Sequence, residues 1–290
     1  MAPAATLYVV ATPIGNLADV TLRALEVLGA VPLIAAEDTR ITRRLLSRHG
    51  IATRLQSYHA RSGPARLESL LEHLRSGRDL ALVSDAGTPS VSDPGDDLVA
   101  AWSAEGGRVV PIPGPSAVLA AVVASGIAGP RWSFEGFLPR SGRARRERLA
   151  SIAADDRATV LFEAPTRVGD TLRDLAAACG PDRGAAACRE LTKLHEQVVR
   201  GTLGELAGRL TDGSVPARGE FVIVVGAAVA GSPSLERGQI EATPDERLTA
   251  ARAEVAALVA GGSARSDAAR LVAARTGLRR RSLYGSPEGA

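Results

Sequence analysis

The sequence predicts an α/β fold: two sheet-containing domains followed by a small helical extension. Three observations point there. Strand-length apolar runs alternate with stretches that carry apolar residues at helical spacing, the pattern of a mostly parallel sheet covered by helices. That alternation runs through once, is interrupted near a basic segment, and starts again. A Gly/Ser/Pro-rich stretch then precedes a purely helical pattern. With 290 residues, 45% of them hydrophobic and 23% charged, the chain has ample apolar content for such a core.

In the first domain, residues 1–113, LYVVA (7–11), PLIAA (32–36), DLALVS (79–84) and RVVPI (108–112) read as buried strands bounded by turn residues. Between them TLRALEVLG, ITRRLLSRHG and ARLESLLEHLRSG read as helices, the last two stopping at Gly50 and Gly77. The second domain, residues 114–228, has strands ATVLFE (158–163), GAAACRE (184–190), EQVVRG (196–201) and FVIVVG (221–226), with helices at 166–179 and 202–211. Within it FLPRSGRARRER (137–148) reads as a basic, mobile linker. Residues 229–290 comprise the linker GSPSLERG and a helical tail. The tail's final stretches, joined at Thr276–Gly277, fit a helix-turn-helix-like unit or plain amphipathic packing equally well.

Composition narrows the function classes. A net charge of +3 and a pI near 9.3 permit a nucleic-acid partner without requiring one. Lys193 is the only lysine among 35 Lys and Arg residues, a bias that weakens arguments from arginine counts. Cys179 and Cys188 lack CxxC spacing and read as buried free thiols in a reducing compartment. The four histidines form no metal-ligand motif, so no metal is expected. MAPAATLYVV lacks the basic n-region of a signal peptide, and AVLAAVVASGIA (117–128) is too short to span a bilayer. The expectation is a cytoplasmic protein with no membrane partner.

Three loops fall at the carboxyl ends of strands of the first domain, where open α/β sheets bind ligands. They are ATPIGN (11–16), SDAGTPSVSDPG (84–95) and PGPSA (113–117), and glycine and proline hold each one open. Ser116 is placed to cap the helix that begins there. Asp93–Pro94 reads as an N-cap and first helical residue. Asp85 is different: a carboxylate directly after a buried strand needs a partner, which a ligand would supply. None of the loops is a Walker or GxGxxG motif, which argues against nucleoside triphosphates and NAD.

LYVVATPIGNLADVTLRALEVL, AAEDTR, LVSDAGTPSVSDPG, VVPIPGPSA, FEGFLPR, RELTK and RGEFVIVV occur in this order. Together they closely resemble the small-subunit ribosomal RNA methyltransferases of the tetrapyrrole (corrin/porphyrin) methylase superfamily, from about residue 6 to residue 227. The resemblance implies two α/β domains with S-adenosyl-L-methionine folded into the cleft between them. It implies 2′-O-methylation of a cytidine ribose in 16S rRNA of the small ribosomal subunit, by a homodimer. By match to the superfamily's motifs, Ser84, Asp85, Ala86 and Thr88 would touch the cofactor, as would Pro13, Ser116 and Ala117, with Gly201 on the adenine side.

For the chemistry, AAEDTR offers Glu37, Asp38 and Arg40, and RELTK offers Arg189, Glu190 and Lys193. The catalytic candidates are Glu37, Arg40, Glu190 and Lys193, because a ribose hydroxyl needs alignment and help with its proton. A buried lysine can lose its proton where an arginine cannot. Two departures put histidine bases in doubt: Thr166 precedes Arg167 where the family has His, and Ala60–Arg61–Ser62 follows His59 where it tends to Glu-His-Asn. RNA contacts are expected from Arg140, Arg143, Arg145, Arg146, Arg148 and Arg279–Arg281. The competing expectations are a tetrapyrrole carbon methyltransferase and a non-catalytic ribosome-assembly factor.

Overall fold

Five short strands build the first sheet: β1 (Thr6–Val10), β2 (Ile34–Ala36), β3 (Leu55–Ser57), β4 (Leu80–Val83) and β5 (Arg108–Ile112). The computed structural model describes residues 5–228, 244–260, 264–276, 278 and 280–284. The strands lie in the order β3-β2-β4-β1-β5, every pair parallel. All of β2 and β4 is buried, as the all-apolar runs IAA and LALV require of strands covered on both faces. Leu28 of α1 (Leu22–Ala30) and Leu46 of α2 (Thr39–Arg48) pack on one face with Ile34 and Val83. Leu70 and Leu74 of α3 (Pro64–Arg75) and Leu98 and Trp102 of α4 (Asp96–Ala104) pack on the other with Leu7 and Leu80.

The second sheet contains β6 (Trp132–Phe137), β7 (Ala158–Glu163), β8 (Gly184–Arg189), β9 (Gln197–Thr202) and β10 (Phe221–Val225), in the order β6-β7-β10-β8-β9. Here only β6 and β7 are parallel, while β10 runs antiparallel to both its neighbours and β8 antiparallel to β9. The expectation of mostly parallel pairing therefore fails for this half. Residues 190–196 are too short a connection between β8 and β9 for a crossover, so the chain must turn straight back.

One face of this sheet carries α6 (Gly142–Ala154), α7 (Val168–Cys179) and α8 (Leu203–Thr211), through Leu149, Ile152, Leu172 and Leu206. The other carries α5 (Ala117–Ser125), whose Val118 and Ala121 pack against Val160, Cys188 and Val224. Ile14, from the loop after β1, joins this second core, so a loop of the first sheet is built into the second. Both cysteines are free and buried.

The basic segment at 137–148 is not a linker. Most of it is the first half of α6, and Arg145 is 8% exposed. Its guanidinium donates to Asp174 Oδ2 (2.8 Å), Pro139 O (3.0 Å) and Thr171 Oγ1 (3.0 Å). Arg143 pairs with Glu147 and Arg148 with Glu135, leaving Arg140 and Arg146 exposed without an ion pair among the described residues. Charge density concealed a helix whose apolar side, Leu149, Ile152 and Ala153, falls at its C-terminal half.

The chain divides into two compact units, residues 1–235 and 236–290. The second contains α9 (Pro244–Ala260), α10 (Arg265–Thr276) and a 3₁₀ turn at Arg280–Tyr284, sharing a core of Ala251, Val255, Ala269, Val272 and Leu283. The stretch expected to be a second tail helix is thus a 3₁₀ turn, tied back by Arg252 Nε to Ser282 O at 2.9 Å. GSPSLERG, Gly277 and Arg279 lie outside the described residues. Among the described residues no helix is long and apolar enough to cross a membrane.

Candidate active site

The carboxyl ends of β4, β1 and β5 are neighbours, and their loops are laced together. Thr12 and Gly87 exchange backbone hydrogen bonds of 2.8 and 2.9 Å, Ala11 N donates to Ile112 O (3.2 Å), and Thr12 Oγ1 donates to Ser84 O (3.1 Å). A Cβ on Gly87, at φ +77°, would stand 3.5 Å from Ile14 Cγ2 and 3.8 Å from Pro115 O, so the three loops meet at that residue. Ser116 caps α5, its Oγ accepting from Leu119 N at 3.4 Å. The first-turn N–H groups of α5 have no intrahelical partner, and Ser116 and Ala117 lie in the wall of a cleft.

The cleft runs between these loops and the ends of β7, β8 and β10, with a volume of about 370 Å³. That falls in the ~300–1,000 Å³ range of small-molecule sites. Its walls are mostly apolar, with Ile14, Val118, Phe137, Phe162, Leu191 and Val222 among them. Phe137 and Phe162 are tilted against each other at 5.6 Å, forming an aromatic side.

The loop SDAGTPSVSDPG is held in an unusual backbone. Ser90 and Ser92 have φ of 69° and 66°, a conformation that costs of order 1 kcal/mol or more for a residue with a Cβ. The Ser90 hydroxyl is buried with no hydrogen-bond partner. Gly95, at φ +131°, is required, because a Cβ there would lie 2.6 Å from Leu82 Cδ2. These turns delay α4 until Asp96 with Gly95 as its N-cap, so Asp93 is not the cap expected of an Asp–Pro pair. Asp93 instead lines the cleft, half-buried.

Asp93 is the group that local sequence chemistry missed. Burial pushes its pKa up to about 6, the nearby Ser84 hydroxyl opposes the shift, and repulsion from Glu37 and Asp85 adds to it. Two other carboxylates line the cleft, and both are committed. Buried Glu163 accepts from Ala164 N (2.9 Å) and Thr171 Oγ1 (2.6 Å) and is ion-paired with Arg167 at 3.4 Å. Glu220 accepts from Lys193 Nζ at 2.9 Å. Asp93 has no ion pair among the described residues.

The sequence-derived candidates distribute unevenly around this space. Ala86, Thr88, Ser116 and Ala117 line it, and buried Ser84 lies directly behind through Asp93. Pro13 is buried next to Ile14 without lining the cleft. Asp85 finds its partner in the protein, accepting from Asp38 N at 2.8 Å, while its own N–H donates to Glu37 Oε2 at 3.3 Å. Burial raises the pKa of both Glu37 and Asp85. Arg40 is exposed and bound to Asp38, which its hydrogen bonds hold at about 2. Gly201 pairs with Ala185 at the opposite end of β8 from Cys188 and lies outside the cleft.

On the second sheet, Glu190 and Thr192 also adopt positive φ, 51° and 65°. Lys193 donates to Glu190 and Glu220 at 2.9 Å each. Burial works to lower its pKa, but these two hydrogen bonds outweigh it and hold the ammonium above the ordinary lysine value. Lys193 is therefore a fixed cation, not a neutral base. Asn16 N donates to Thr192 Oγ1 (3.2 Å), and a Cβ on Gly15 would stand 2.4 Å from Lys193 Cγ. Only a glycine lets ATPIGN and RELTK close against each other. Among the described residues no cluster of three or more His, Cys, Asp or Glu side chains is arranged to hold a metal ion.

Comparison with known proteins agrees with this architecture. A chain named ribosomal RNA small subunit methyltransferase I from Synechocystis sp. is 46% identical over 279 residues, covering 96% of this chain and 95% of that one. Its counterpart from Xylella fastidiosa (strain Temecula1) is 43% identical over 98% of this chain and all of its own length. The crystal structure of uroporphyrin-III C-methyltransferase from Thermus thermophilus, complexed with S-adenyl homocysteine, shares the fold at a TM-score of 0.55. Its identity is 19%, over 78% of this chain and 99% of that chain. The family model for tetrapyrrole (corrin/porphyrin) methylases matches residues 6–207, a span that takes in the first sheet, the second sheet up to β9 and the loops after β1, β4 and β5. This chain belongs to the tetrapyrrole (corrin/porphyrin) methylase family.

Proposed function

We propose that the protein transfers a methyl group from S-adenosyl-L-methionine to the 2′-hydroxyl of a cytidine ribose in 16S rRNA of the small ribosomal subunit. The observation that carries this reading is the cleft itself: an apolar space of about 370 Å³ containing one carboxylate, Asp93, with no cationic partner among the described residues. The names and full-length coverage of the relatives support the RNA substrate.

The residues fit the cofactor. Apolar walls and the Phe137–Phe162 pair suit an adenosyl group, and the N-terminus of α5 offers N–H groups to its polar atoms. Glu37, Asp85 and Asp93 make the loop side acidic, which favours a cation beside it. When bound, the cofactor supplies an electrophilic methyl on a sulfonium. Asp93 would accept the proton that the ribose hydroxyl gives up when its oxygen is methylated. A carboxylate near 6 is ionised at neutral pH yet more basic than an ordinary one. Lys193, fixed between Glu190 and Glu220, ties RELTK to the residue before β10, while Thr192 makes the hydrogen bond to ATPIGN.

Cys188 also lines the cleft, and a thiolate there would compete for the methyl group. Burial pushes its pKa up to about 11, which keeps it a poorly nucleophilic thiol. In this reading the protein works in the cytoplasm as a homodimer. Leu119 and Val123, one turn apart on α5 and 54% and 81% exposed, supply apolar surface for a second copy. A monomer by light scattering would contradict that part.

Incubating the protein with methyl-labelled S-adenosylmethionine and small ribosomal subunits, then digesting the rRNA to nucleosides, tests the reading. Label in 2′-O-methylcytidine supports it. Label on a base, or no transfer to subunits or to naked 16S rRNA, overturns it.

A further inference from the structure

The helix α2 has two sharply different sides. Thr42, Leu45 and Leu46 are buried, whereas Arg40, Arg43, Arg44, Ser47 and Arg48 are all exposed. Positions i, i+3, i+4, i+7 and i+8 share one helical face, so the four guanidiniums form a single stripe. Together with Leu17 they line a shallow groove of about 670 Å³.

An arginine-rich chain produces exposed arginines without any function, some of them unpaired like Arg140 and Arg146, but several on other helices have an acidic partner close by. Arg75 pairs with Glu68 and Glu105, Arg143 with Glu147, Arg173 with Asp170, and Arg270 with Asp267. The α2 sequence TRITRRLLSR contains no acidic residue. Arg40 reaches the capping Asp38, while Arg43, Arg44 and Arg48 have neither an ion pair nor a side-chain hydrogen bond among the described residues. Holding like charges together on one face is unfavourable unless an anion answers them.

Two short chain segments link the groove to the cleft. Leu17 begins the 3₁₀ turn (Leu17–Asp19) three residues after Ile14, which lines the cleft. At the head of α2, Asp38 donates its N–H to Asp85 in the acidic side of the same site. From Arg40 to Arg48 the helix rises about 12 Å at about 1.5 Å per residue. That spans roughly three phosphates of a helical strand at about 3.4 Å each.

We infer that the arginine face of α2, through Arg43, Arg44 and Arg48, is a docking surface for the phosphodiester backbone of the substrate RNA next to the nucleotide held in the cleft. The inference rests on the RNA-methylating function proposed above. Phosphate contacts of this kind position a strand without reading its sequence.

The test is a triple variant, R43Q/R44Q/R48Q, with R43K/R44K/R48K as the charge-preserving control. Glutamine keeps the helix propensity of arginine, and calorimetry with S-adenosylhomocysteine checks that the cleft is intact. Binding to small subunits and to 16S rRNA is measured across a salt series, with methyl transfer by the wild type in parallel. The glutamine variant should bind at least about tenfold more weakly at low salt. Its dependence of log K on log salt should be flatter by up to about 0.7–0.9 per arginine. The lysine variant should keep most of the slope, and cofactor affinity should not move. If the wild type transfers methyl groups and the glutamine variant keeps the wild-type slope, the groove is a solvated face and the inference falls alone. If the wild type neither binds nor methylates the RNA, the proposed function falls and the groove's assignment falls with it.

Discussion

Replacing Asp93 with asparagine should make the protein more stable and less active. In the folded chain burial holds this carboxyl near 6, against an ordinary value of 3.8. Folding therefore prefers the protonated form. The stability that comes with it is complete below pH 3.8 and lost as the pH rises through about 6. Near pH 8 the wild type bears the whole cost of an ionised, half-buried carboxylate. Asparagine carries no charge and keeps nearly the same shape. At about 1.36 kcal/mol per pH unit, the gap corresponds to a ceiling of about 3 kcal/mol. Because the group is only half-buried, solvent screening reduces the expected gain to about 1–2 kcal/mol. Urea unfolding of the cofactor-free protein, wild type and variant, near pH 8 and near pH 4 measures it. The variant should unfold at higher urea near pH 8, and its advantage should shrink near pH 4. Equal stability at both pH values, or a gain that does not change with pH, would refute the placement of Asp93 as a strained, buried acid.

Arg145→Gln should destabilise the fold by about 2–3 kcal/mol by urea unfolding, despite lying in a stretch that reads as a basic linker. That is less than the ~3–5 kcal/mol of a fully buried pair because Asp174 is 45% exposed. An effect under about 0.5 kcal/mol would mean that the network with Asp174, Thr171 and Pro139 does not form. Cys188 should resist alkylation near pH 8 in the native protein and react once unfolded, as followed by mass spectrometry. Rapid native labelling would contradict a buried thiol whose pKa is pushed up to about 11.

Much of this architecture is legible in the residues, and the failures have physical causes. LALV and FVIVV read as buried strands, because short apolar runs bounded by turn residues suit a strand covered on both faces. Strand direction is another matter: a buried run looks the same in a parallel and an antiparallel sheet, so the antiparallel pairing of β10 was invisible. β3 (LQS) and β6 (WSFEGF) are half-buried throughout, apart from exposed Phe137, and neither carries an unbroken apolar run. The three ligand loops show through their glycines, prolines and small residues because backbone conformation there is local chemistry. Asp93 was misread for the same reason, since an Asp–Pro pair caps helices unless distant packing intervenes. Here two left-handed serines and Gly95 against Leu82 push the helix start past it. Lys193 shows the converse. Its rarity drew attention, but its charge state depends on Glu220, 27 residues away in the chain.

The pH dependence of kcat/KM for methyl transfer to small subunits, compared between wild type and Asp93→Asn, is the most direct test of how the cleft works. This parameter reports ionisations of the free protein. The wild type should gain activity as the pH rises through about 6 and then stay level through the range where a neutral lysine would titrate, because Lys193 is held charged. The variant should lose the rise near 6 and most of its rate, with affinity for S-adenosylhomocysteine largely retained. A variant that keeps both the wild-type rate and the same acidic limb would contradict Asp93 as the group that takes the proton.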